Sequence, residues 1–278
     1  MANSEKAQEL LDRLHEKVET LVTGDDWKAA LDFQAKFHRY SFNNSMLIQL
    51  QKPGATYVMG YGAKDGRSGW LSVGRQVRKG EKGIAILAPI VVKRDKADGS
   101  KGTAVVGFRT VYVFDISQTD GDDLPLDVMH PAELQGDAAP ELFASLVSLV
   151  ADRGFEYVDD DAKLPGGALG VTIPQAKTVT VKSDMSPLQR TKTLVHELAH
   201  VALHCNADEA FDYSKCRGQA EVEAESVAYV VCAALGLPTD DYSFAYVGGW
   251  SGGDMELVRK SGERVARIAK SILEGVSA

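Results

Sequence analysis

Leucine and valine recur at helical spacing over residues 6–22 (Leu10, Leu11, Leu14, Val18, Leu21, Val22), which predicts an amphipathic first helix. The same period predicts a second helix from about Asp26 through "WKAALDFQAKFHRY" and a third at "FNNSMLIQLQ", stopped by Pro53. The pattern then changes. "ATYVMGY", "KGIAILAPIVVK" and "TAVVGFRTVYVFD" read as strands, the last two joined by the polar hairpin loop "RDKADGSKG". "SQTDGDDLPLDVMHPAELQGDAAPE" has acids and prolines but no period, so it reads as a linker. Beyond it come a helix at "PELFASLVSLVADRG" and short strands around "FEYV", "GALGVTI" and "KTVTVK". Ser186, Pro187 and Gln189 form an N-terminal capping signature for a helix running through residue 204. Two more helices are expected, at about 218–235 and 254–275. The expected fold is α+β in two domains: helices plus an antiparallel sheet over 1–116, a linker over 117–136 and a second domain over 137–278.

Composition narrows the function. An apolar fraction of 44% supplies material for real cores. No apolar run reaches the length of a membrane span, and the mixed, acidic N-terminus is not a secretory signal. Three cysteines (Cys205, Cys216, Cys232) without a framework spacing fit reduced thiols, so a cytoplasmic location is expected. The net charge of −8 hides an asymmetry: residues 36–101 hold thirteen Lys/Arg against four Asp/Glu, and residues 114–161 hold thirteen Asp/Glu against Arg153 alone. That separation points to a polyanion, such as nucleic acid, as partner of the first half.

Chemistry concentrates in "TLVHELAHVALH", residues 193–204, which carries half of the six histidines. His196 and His200, four apart, share a helix face and can converge on one cation. Glu197 can take a proton from the water that such an ion acidifies, as in the H-E-x-x-H arrangement. A third ligand is sought in "EVEAESVAYVV". The apolar stripe Val227, Val230, Val231 and Ala234 extends back to Glu223, which is therefore the candidate; Glu221 and Glu225 are both expected to face elsewhere, with Glu225 the fallback. His204 lies two turns from His196, too far for one ion, and reads as a supporting or helix-terminal residue. Cys205 and Cys216 form no familiar zinc spacing. Zinc suits two imidazoles and a carboxylate, and manganese or cobalt could take the same set. No position marks an oxyanion stabiliser; Tyr229, Tyr242 and Tyr246 are candidates.

"TLVHELAHVALH" followed by "EVEAESVAYVV" resembles the ImmA/IrrE-like metallopeptidases, which implies a zincin-like, gluzincin-type second domain. In such folds an edge strand pairs with extended peptide substrate, a role that would fall to "KTVTVK". "RYSFNN", "VRKGEKGIAILAP" and "QTDG", within a stretch from about Trp27 to Gly121, resemble the N-terminal single-stranded-DNA-binding domain of ArdC-like antirestriction proteins; "KDGRSGWLSVGR" departs from that pattern. The resemblance implies a protein that binds single-stranded DNA, carries a metallopeptidase centre and protects incoming mobile-element DNA from restriction. Single strands are held by cations along phosphates and by aromatic faces under bases. Tyr40, Tyr57, Tyr61 and Trp70 are interleaved with Arg39, Arg67, Arg75, Arg78, Lys79 and Lys82, while Asn43 and Asn44 could reach phosphates or cap the third helix. Other readings are an occluding DNA-binding protein with a structural metal, or a DNA-recruited regulatory or crosslink-clearing protease. The peptide substrate and the oligomeric state are not specified by the sequence.

Overall fold

The computed structural model describes residues 2–62, 68–95, 101–124, 140–205, 217–240 and 242–277. The chain divides into two compact units, Met1–Thr20 with Asn43–Met129, and Leu21–Phe42 with His130–Ala278.

In the first unit, α1 (Ala2–Glu19) lays Leu10, Leu14 and Val18 against the sheet formed by β1 (Val58–Gly60), β3 (Ile84–Asp95) and β4 (Lys101–Asp115). The strand order is β1-β4-β3, antiparallel throughout. The outer edge of β3 is covered by side-chain amides of α3 (Phe42–Gln51). Asn44 pairs with both the N–H and the carbonyl of Leu87 at 2.9 Å, and Gln51 does the same for Ala85 at 3.0 and 2.8 Å. These amides occupy a ladder that would otherwise be open. β2 (Arg75–Val77) pairs with β5 (Thr119–Gly121), so the opening residues of the expected linker belong to this unit's framework.

Asp115 ends β4 and holds the crossover to β5. Its carboxylate accepts the backbone N–H groups of Thr56, Tyr57 and Ser117 at 2.8, 3.1 and 3.0 Å. Burial pushes its carboxyl up, but those hydrogen bonds outweigh burial and hold it below the ordinary value. The contribution is therefore present above about pH 4 and lost as pH falls through the depressed value. Asp115→Ala should cost about 3 kcal/mol, because buried N–H groups lose their acceptor. Urea midpoints at neutral and acid pH measure this, and the gap between variant and wild type should shrink in acid.

In the second unit, α2 (Gly24–Lys36) begins at a reciprocal capping box between Thr23 and Asp26. The sequence division placed this helix in the first domain, but it packs on α6 (Arg217–Ala234). The fully buried Trp27 donates its indole N–H to Ser226 Oγ at 2.9 Å, and Tyr229 donates to Asp32 at 2.5 Å. These contacts bridge some 200 positions of sequence, which no local pattern registers.

The remaining elements are α4 (Pro140–Asp152), β6 (Glu156–Tyr157), β7 (Gly170–Ile173), β8 (Thr178–Val181), α5 (Pro187–His204), α7 (Val247–Ser251) and α8 (Met255–Val276). Ser186 Oγ caps Gln189 N–H at 3.2 Å with Pro187 in the first turn, as expected, but the Gln189 side chain turns to Thr193 instead of closing the box. β8 is the central strand of the order β6-β8-β7, so "KTVTVK" is not the edge strand. Its last three residues are all buried, so both faces of the strand are covered there. β6 and β7 are the edges, and β7 packs beside α5. No helix among the described residues is long and apolar enough to cross a membrane.

Candidate metal centre and nucleic-acid surface

α5 places His196 and His200 one turn apart with their Nε2 atoms 3.0 Å from each other. Glu221 of α6 brings a carboxylate oxygen 3.5 Å from His196 Nε2 and 3.6 Å from His200 Nε2. These three donors lie within 4.8 Å of one another, a set that could hold one cation. The far nitrogens are also engaged: His196 Nδ1 lies 3.0 Å from Glu225, and His200 Nδ1 lies 3.2 Å from His204 Nδ1. Burial lowers the His196 pKa, but the Glu221 and Glu225 carboxylates outweigh it and raise it to about 10. Two ring nitrogens at 3.0 Å need a proton between them, or a cation in its place. The donor set therefore fits a divalent ion.

Glu223, the expected third ligand, is not brought to this cluster. Its fully buried carboxylate meets Gln219, Ser261, Arg264 and His204. The reason lies in α6, which is buried on nearly every side. Extending its apolar stripe selects the face toward α8, whereas Glu221 and the fallback Glu225 sit on the face toward α5. Burial raises the Glu223 pKa, yet bonds from His204, Ser261 and Gln219 with the Arg264 charge bring it below the ordinary carboxylate range. His204 is held below its usual value by burial.

Glu197 is nearly buried, and its Oε2 accepts Thr172 Oγ1–H at 2.7 Å from β7. Gly170, also on β7, makes room for it: a Cβ there would stand 2.7 Å from Glu197 Oε1 and 2.8 Å from Thr193 Cγ2. A larger residue here would force the Glu197 or Thr193 side chain to shift. The histidines, Glu197, Glu221 and Glu225 line a cleft of about 950 Å³, bounded on one side by residues 165–175. Of the three tyrosines considered as oxyanion stabilisers, Tyr242 lines the cleft; Tyr229 is bonded to Asp32, and Tyr246 is exposed with its ring over Gly248. Cys205 is half-buried at the cleft, its thiol pushed up to about 11 by burial. Cys216 lies outside the described residues.

The proposed DNA-contacting residues separate. Arg39 and Tyr40 belong to the second unit. Trp70 is fully buried and donates to the Phe114 carbonyl at 2.9 Å, with Tyr57 edge-on at 5.8 Å, so it is core and no base platform. Asn44 is committed to the β3 edge, and Asn43 is half-buried near the start of α3. Arg75 spends its guanidinium on Thr119, Gly121 and Asp122, tying β2 to β5. Arg78 is ion-paired to Glu81 at 2.8 Å and Asp120 at 3.2 Å. Lys79, Lys82 and Tyr61 are exposed. Arg67 lies outside the described residues. Sequence reading missed Phe108 and Tyr112, each 48% exposed on one face of β4, with Tyr112 packed over Gly83 beside Lys82. β4 is apolar on both faces, so its pattern did not show which face stays open.

In the second unit a histidine-bearing helix thus faces a carboxylate-bearing helix beside a small sheet, an arrangement that could hold a metal ion. Residues 158–253 match the IrrE N-terminal-like domain of the Peptidase M78 family, and residues 4–121 match the N-terminal domain of anti-restriction factor ArdC. The chain is an ArdC-like two-domain protein. The metal-free crystal structure of antirestriction protein ArdC from plasmid R388 has the same fold, with TM-score 0.52 at 24% identity, covering 85% of this chain and 84% of that one. The manganese-bound structure of that protein gives TM-score 0.47 at 21% identity, covering 85% and 88%. An uncharacterized protein of Bacillus anthracis is 24% identical over 311 residues, covering 98% of this chain and 51% of that protein. The chain thus spans about half the length of that curated relative.

Proposed function

We propose that this chain is a divalent-metal-dependent peptidase joined to a single-stranded-DNA-binding unit, acting in protection of DNA from restriction. The observation that carries the reading is the convergence of His196, His200 and Glu221 with Glu197 alongside. His196, His200 and Glu221 would hold the ion, zinc by the preference of its donors. When bound, the ion supplies a Lewis acid and acidifies water. Glu197, fixed by Thr172, takes the proton from the attacking water and returns it to the leaving amine. The β7 edge offers backbone groups to an extended peptide in the cleft. Metal analysis of the purified protein, together with cleavage assays in the presence and absence of single-stranded DNA, tests this reading. A protein that takes up no metal would end it.

Because His196 holds its proton to about pH 10, an entering ion displaces it. Apparent metal affinity should therefore rise about tenfold per pH unit between pH 7 and 9, with about one proton released. Calorimetry in buffers of different ionisation enthalpy measures both.

For the first unit, support comes from the match to the ArdC N-terminal domain and from exposed cations beside exposed aromatic rings. Lys79→Ala with Lys82→Ala should flatten the salt dependence of oligothymidylate binding by about 0.7 in log–log slope per lost phosphate contact. Tyr112→Ala should cost about 1–3 kcal/mol at every salt concentration. Fluorescence anisotropy across a salt series separates the two effects, and unchanged curves for both variants would move the interface elsewhere.

A further inference from the structure

Glu223 and His204 form a buried chain behind the cleft whose end touches a candidate ligand. The Glu223 side chain has no exposed surface. Its Oε1 accepts Ser261 Oγ–H at 2.5 Å, Gln219 Nε2–H at 2.9 Å and the Arg264 guanidinium. Its Oε2 lies 3.2 Å from His204 Nε2, and His204 Nδ1 lies 3.2 Å from His200 Nδ1.

The proton positions follow from donor and acceptor chemistry. A carboxylate receiving a guanidinium, a hydroxyl and an amide accepts only, so His204 directs its Nε2–H at Oε2. A neutral imidazole then presents a lone pair at Nδ1. Two Nδ1 atoms facing each other at 3.2 Å require one hydrogen, which His200 must supply. His200 is left with an unprotonated Nε2 aimed at His196 and Glu221. We infer that Glu223 and His204 are positioning residues that fix the tautomer and ring orientation of His200, so that its Nε2 is permanently available as a metal donor. This rests on the metal-centre reading given above.

The two histidines are held differently. His196 is held by Glu225, whose side chain is 39% exposed, whereas His200 is held by a chain shielded from water. A solvated partner can be replaced by water; a buried one cannot. His200 should therefore be the more rigid donor, and damage to its support should be felt in metal affinity. The arrangement also explains why a carboxylate on the core-facing stripe is not at the ion. Glu223 is committed to orienting a ligand through His204.

The test uses the full chain and zinc. His204→Ala removes the acceptor of the His200 proton; His204→Gln restores a carbonyl for it and an amide N–H for Glu223. Competition against a chromophoric chelator should show zinc binding weakened about 10- to 100-fold in H204A and largely recovered in H204Q, with circular dichroism unchanged in both. In parallel, long-range ¹H–¹⁵N spectra of the metal-free wild type should show the His200 proton on Nδ1 and the His204 proton on Nε2. The spectra report the relay even if H204A fails to fold, and a His200 proton on Nε2 overturns it. Wild-type affinity in H204A, with binding abolished by His196→Ala, would sink the relay and leave the metal centre standing. Absence of zinc uptake by the wild type would sink both.

Discussion

Replacing Glu197 with glutamine is expected to lower peptide cleavage about a hundred- to ten-thousand-fold while metal content and DNA binding stay at wild-type levels. Glutamine fits the same space beside Gly170 and can still accept from Thr172, so the shape of the site survives. What disappears is an oxygen able to take a proton. Glu197 is not among the three donors that converge, which is why uptake of the ion should be indifferent to the change. The experiment has a second arm: protection of single-stranded or nicked DNA from a restriction enzyme, with E197Q beside the wild type. Loss of protection with intact metal and DNA binding assigns protection to hydrolysis. Full protection by E197Q would make the chain an occluding protein with a structural metal, and the peptidase reading of its biological role would fall. Cleavage of DNA-bound proteins stimulated by DNA would instead favour a recruited regulatory or crosslink-clearing protease.

Glu221→Ala should weaken metal binding by roughly a hundredfold or more, since loss of even a supporting residue around an ion costs about 10- to 100-fold. Glu225→Ala should cost less, about tenfold, because it removes only the partner of His196 Nδ1, which water can replace. The order is the informative part. Sequence periodicity selects Glu223 and has both Glu221 and Glu225 facing away, with Glu225 the fallback; the donor geometry ranks Glu221 first. Equilibrium competition on the alanine variants at fixed pH decides between them. Wild-type affinity in E221A would remove this carboxylate from the centre and reopen the choice of third ligand.

Local chemistry wrote much of this molecule in its sequence. The capped start of α5 follows from Ser186 and Pro187, and the pairing of His196 with His200 from helical spacing, because residues four apart must share a face. The long strands β3 and β4 and the final helix also lie within a few residues of where their periods place them. Tertiary packing decided the rest, wherever a residue had two faces to choose between. α6 is buried almost all round, so its pattern could not say which carboxylate meets α5 and which meets α8. β4 is apolar on both faces, so the pattern could not say that Phe108 and Tyr112 stay exposed. α2 joins the second unit through Trp27 and Tyr229, contacts made across nearly two hundred residues. Periodicity records that a face is buried; only the folded chain determines what lies against it.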